Sequence, residues 1–92
     1  MIVRIMSEGQ WDVPDEHLSA LNALDEALER AVLAGDEPAF RVEMIALLDA
    51  VRQQGDRVDD DSLEESDLIL PPSDATLEEV RALLGDEGLI PD

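Results

Sequence analysis

The 92-residue chain carries 24 acidic and six basic side chains, a formal net charge of −18 at pH 7, and no cysteine. This length fits one domain, residues 1–92, with a modest core and no room for a large internal substrate cavity. The missing cysteines exclude disulfides, thiolate zinc sites, iron–sulfur clusters and thiol nucleophiles. Leu, Ile, Val and Phe supply 27 residues, above the roughly 20 % of disordered chains, so the chain is expected to fold despite its charge.

The first predicted element is a hairpin: the β-branched run Ile2-Val3-Arg4-Ile5-Met6, the turn Ser7-Glu8-Gly9, and the alternating Gln10-Trp11-Asp12-Val13. Pro14, Asp15 and Glu16 then provide a proline and two acids where a helix dipole favours them, opening a helix over about 15–34. Leu18, Leu21, Leu24, Leu28, Ala31 and Val32 fall on one face of that helix, and Gly35 ends it. Asp36 caps a second helix with Pro38 in its first turn, and Phe40, Met44, Leu47, Leu48 and Val51 recur at helical spacing before Gly55. The short connection makes the two an αα-hairpin.

Residues 56–67 carry seven acids and read as a solvated loop with Val58 and Leu63 pinned down. Leu68-Ile69-Leu70, stopped by Pro71-Pro72, reads as a third strand. Thr76-Leu77-Glu78-Glu79 is a capping box opening a short helix with Leu77, Val80, Leu83 and Leu84 on one face, and Leu89-Ile90 docks the C-terminus. The sum is an α+β fold: a small, about three-stranded sheet covered by an αα-hairpin and a short C-terminal helix.

The residues that could carry chemistry do not assemble into a catalytic pattern. His17, the single histidine, has no nucleophile on its own helix face, and none of Ser7, Ser19, Ser62, Ser66 and Ser73 has a Gly-x-Ser-x-Gly setting. The five glycines stand singly, so no phosphate-cradling loop exists. Asp59-Asp60-Asp61 with Glu64 and Glu65 fails the EF-hand pattern, because Glu64 occupies the position that needs glycine. No enzyme, metal or cofactor is expected.

Recognition fits better. All six cations are scattered arginines, which leaves no basic patch for nucleic acid or anionic lipid and favours a basic partner. The lysine-free composition agrees with either a GC-rich or a halophilic source. The longest aliphatic run, Met44 to Leu48, is far below the roughly 20 residues of a membrane span, and a cytoplasmic protein is expected. Trp11 is a lone tryptophan on a hairpin, to be read as a core residue or an interface anchor. Val42 and Ile45 lie away from the apolar stripe of the second helix. Either the first helix and the sheet cover the two sides, or Val42 and Ile45 form a partner or self-association surface. The acidic stretch Asp59-Asp60-Asp61 is a solvated loop or a docking surface for a basic partner.

Several segments together resemble a known family. Met1-Ile2-Val3-Arg4-Ile5-Met6 with Glu8-Gly9-Gln10-Trp11, Leu21-Asn22-Ala23-Leu24-Asp25 with Gly35-Asp36, Ser66 to Pro72 with Asp74 to Val80, and Glu87-Gly88-Leu89-Ile90-Pro91 look like the PspA-associated protein family, PspAA. The resemblance covers essentially the whole chain. It implies a non-enzymatic companion of phage-shock protein A, the coiled-coil membrane-remodelling protein of the envelope stress response. The expected role is an adaptor that modulates PspA assembly or membrane engagement, reaching the inner face of the membrane only through that partner. Trp11, Val42, Ile45, Asp59, Asp60 and Asp61 are the expected partner-binding residues. The alternative is an acidic mimic or antirepressor on the basic surface of a DNA-binding regulator.

Overall fold

The computed structural model describes residues 1–59 and 65–83. Strands β1 (Ile2–Ile5) and β2 (Gly9–Asp12) form the expected hairpin, paired antiparallel with Val3 opposite Trp11 and Arg4 opposite Gln10. A 3-10 turn over Asp15–His17 leads into helix α1 (Leu18–Ala34), so the acids after Pro14 occupy a tighter turn ahead of the helix. Helix α1 ends at Gly35, whose φ of 68° is the left-handed conformation that glycine adopts without steric cost.

Helix α2 (Glu37–Gln54) starts as its sequence requires, with Asp36 Oδ1 accepting from the Ala39 N–H at 3.1 Å. Gly55 ends it differently from Gly35, in an extended conformation with φ −97° and ψ 158°. What Gly55 supplies is space. A Cβ there would lie 2.9 Å from both Trp11 Cβ and the Val51 carbonyl oxygen and 3.1 Å from Val13 Cγ2.

The sheet has four strands rather than about three. Asp56–Val58, expected as the start of a solvated loop, forms β3 along the outer edge of β2, with Arg57 opposite Trp11. An edge strand needs backbone pairing on one side only, so charged side chains at Asp56 and Arg57 do not prevent it. Strand β4 (Leu68–Leu70) pairs parallel to β1 on the other side, giving the order β3-β2-β1-β4. Helix α3 (Leu77–Leu83) follows, with the Thr76 hydroxyl accepting from the Glu79 N–H and donating to its carboxylate, both at 3.1 Å. The expected roles of Leu63, Leu84, Leu89 and Ile90 fall outside the described residues.

One sheet face packs on the helical hairpin. Val3, Ile5, Trp11, Leu68 and Leu70 meet Leu21, Leu28 and Val32 of α1, Phe40, Met44, Leu47, Leu48 and Val51 of α2, and Leu77 and Val80 of α3 in one cluster. Leu18 and Leu24 pack only partly against it, while Asp25 of α1 is 3 % exposed, a buried acid that apolar periodicity does not reveal. The opposite face carries Arg4, Gln10, Val58 and Ile69 in one cross-strand row.

Candidate docking surface

A polar cluster and a shallow hollow lie on the open sheet face. Ser66 sits on it, its hydroxyl donating to Gln10 Oε1 at 2.8 Å and accepting from Arg4 Nε at 3.2 Å. The hollow beside them, of about 120 Å³, is lined by Arg4, Gly9, Gln10, Val58 and Asp59. It holds no nucleophile, and one guanidinium beside a carboxylate offers no oriented acid–base pair. His17 lies elsewhere, its Nε2 3.8 Å from Glu16 Oε1. Among the described residues no three His, Cys, Asp or Glu side chains are grouped to hold a metal ion.

The second helix offers more. Its buried stripe of Phe40, Met44, Leu47, Leu48 and Val51 faces the core, yet Val42 and Ile45 remain 64 % and 54 % exposed. The reading in which α1 and the sheet cover both sides of α2 is therefore set aside: the Val42 and Ile45 side is uncovered. Two branched apolar side chains one turn apart thus leave more than half of their surface in water, where it favours a partner that covers it.

Charged groups flank that pair in an ordered way. About two turns toward the C-terminus, Arg52 donates from Nη1 to Asp49 Oδ1 at 2.7 Å and from Nε to Glu8 Oε1 at 2.9 Å, with Nη2 closing a second bond to Glu8 Oε2. Glu8 belongs to the β1–β2 turn, so this bidentate clamp fastens the hairpin tip to α2. The hydrogen bond to Glu8, the largest influence, holds the Arg52 guanidinium above its ordinary pKa against the opposing effect of burial, with Asp49 assisting. Toward the N-terminus, Arg41 lies beside the Phe40 ring, 5.2 Å from its centroid, and donates to the Ser73 carbonyl at 3.3 Å.

Of the remaining expected binding residues, Trp11 lies on β2 and Asp59 directly after β3, neither of them on α2. Trp11 is buried, 6 % exposed, under the Arg57 guanidinium, whose Cζ lies 4.9 Å from the ring centroid and whose Nη2 donates to the Glu8 carbonyl at 2.7 Å. Asp59 is exposed at the end of β3, on the far side of the sheet order from β4. Asp60 and Asp61 lie outside the described residues. Arg41 and the Glu8–Arg52–Asp49 set were missed by reading the sequence. The spacing of Asp49 and Arg52 was a signal in itself, but nothing local pairs Arg52 with Glu8, 44 positions away.

No helix of the described residues is long and apolar enough to cross a membrane. No curated protein and no solved structure matches the chain. A family model described as PspA-Associated protein, PspAA, matches residues 1–92. The chain belongs to the PspAA family, whose name marks its members as associates of PspA.

Proposed function

We propose that this PspA-associated chain is a non-enzymatic adaptor that docks on PspA and biases it between a soluble form and a membrane-bound polymer in the envelope stress response. The observation that carries the reading is the uncovered Val42 and Ile45 pair on α2 of a domain with a net charge of −18. Two apolar side chains are too little surface for a stable complex, since standard interfaces bury roughly 800 Å² per partner. Charge must therefore contribute. A strongly acidic domain steers toward a basic, coiled-coil partner, and the apolar pair then holds the complex. Asp59, with its sequence neighbours Asp60 and Asp61, adds to the attracting field. Trp11, whose ring is buried, contributes by fixing the hairpin rather than by contact.

The test is co-purification of the tagged chain with the PspA of the same genome across a salt series, beside the Val42→Asp/Ile45→Asp double variant. Capture by the wild type and loss from a variant that melts like the wild type are expected. Absence of PspA at both low and high salt overturns the adaptor reading. A DNA-binding regulator recovered in its place, released steeply by salt, would favour the acidic-mimic reading.

A further inference from the structure

Resting on the adaptor reading, the geometry of α2 points to a narrower partner: we infer that its exposed face receives one amphipathic helix of PspA, whose acidic end lies over Arg41 and whose basic end lies over Asp49. At about 100° per residue, Arg41, Val42, Ile45, Asp49 and Arg52 fall within an arc of about 100° that adjoins the buried stripe and turns away from it. Along the axis they run in the order cation, apolar pair, acid, and then Arg52, already paired with Glu8 and Asp49; Arg41 to Asp49 spans about 12 Å.

The charges at the two ends are unequally satisfied inside the domain. Glu8 and Asp49 share the single guanidinium of Arg52, leaving one net negative charge. Asp49 is half exposed and uses only Oδ1, so Oδ2 is open to a partner ammonium or guanidinium. Arg41, in contrast, bonds a carbonyl oxygen and, among the described residues, no carboxylate. A docking helix that carries an acid, two apolar residues and a base on successive turns of one face meets each of these needs. The same helix in the reverse direction sets acid against Asp49 and base against Arg41, and like charges in contact reject it. Arg41 and Asp49 thus fix direction, while Val42 and Ile45 supply the contact. A second copy of this chain is the poorer occupant, because it brings another −18 to the interface.

The experiment measures binding of purified PspA to charge-matched variants. Arg41→Glu and Arg30→Glu change net charge equally, as do Asp49→Lys and Glu26→Lys, but Arg30 and Glu26 are exposed on α1. Arg41→Glu and Asp49→Lys are each expected to weaken binding about fivefold relative to the matched control, the order expected of a single exposed ion pair. Arg41→Gln, which keeps a donor for the Ser73 carbonyl, separates a loss of docking from a loss of folding and is expected to weaken binding less than Arg41→Glu. Wild-type binding that follows only net charge, with each variant equal to its matched control, overturns the oriented helix and leaves the adaptor reading standing. Failure of the wild type to bind PspA at any salt overturns the adaptor reading and this one with it. A dimer of the chain alone, dissolved by Val42→Asp/Ile45→Asp, would assign the face to a second copy instead.

Discussion

Arg52 bridges two carboxylates, Glu8 and Asp49, in a sequence that holds 24 acids. Arg41, Arg57 and Arg81 donate to backbone carbonyls, of Ser73, Glu8 and Val32. Each of these bonds ties segments more than 30 positions apart, and the planar guanidinium suits the task because it spreads several fixed donors over one group. Arg81 also places a cation at the end of α1, where the orphan carbonyls are electronegative. Arg81→Gln should therefore lower stability by about 1 kcal/mol, read as a shift in the urea midpoint without a change in slope. An unchanged midpoint would mean that the bond to Val32 is worth no more than the hydration it replaces. Gly55 is less forgiving. Its Cβ position is closed by Trp11, Val13 and the Val51 carbonyl, and none of these is the free end of a flexible side chain. Gly55→Ala should cost about 1–3 kcal/mol by overpacking, a large share of the roughly 5–15 kcal/mol of a whole domain. Trp11, the single tryptophan, touches that position and reports the change directly through its emission.

Among the elements, the helices were legible in the sequence because their causes are local. Asp36, Pro38 and the recurrence from Phe40 to Val51 define α2 without reference to the rest of the chain, and the structure returns it as Glu37–Gln54. Asp36→Ala should remove the side-chain bond to the Ala39 N–H and cost about 1 kcal/mol, measured as the loss of helical signal at a lower temperature. Strand β3 was not legible for the opposite reason. Asp56-Arg57-Val58 has no apolar alternation, and what makes it a strand is a neighbour already in place: the free edge of β2 and the Trp11 ring under Arg57. The candidate docking face was half legible. Helical spacing put Val42 and Ile45 on the far side of α2, but only the placement of α1 and the sheet shows that neither covers them. The Glu8–Arg52 clamp joins a turn to a helix across the fold, a relation that no periodicity carries.

For the whole molecule, the surplus of acid gives salt two opposite effects. With 24 acids against six arginines, most carboxylates have no cation to pair with, and their mutual repulsion weakens the compact state. Salt screens that repulsion, over roughly 8 Å at 0.15 M and 3 Å at 1 M, so the melting temperature should rise between those conditions. A relief of 1 kcal/mol corresponds to about 4–8 °C for a domain of this size. The same screening weakens attraction to a basic helix, and the affinity for PspA should fall over the same range. The opposition is what distinguishes charge-driven docking from two simpler cases. If the apolar pair alone held the complex, stability and affinity would both hold or rise with salt, because salts that strengthen burial act on both. If the acids were already compensated within the fold, the melting temperature would stay flat while affinity still fell. Melting curves and binding isotherms taken in the same buffers from 0.05 to 1 M salt therefore separate the three. The expected pattern is a rising melting temperature with a falling affinity, and a partner that binds most tightly where the free domain is least stable is one whose cations replace the salt.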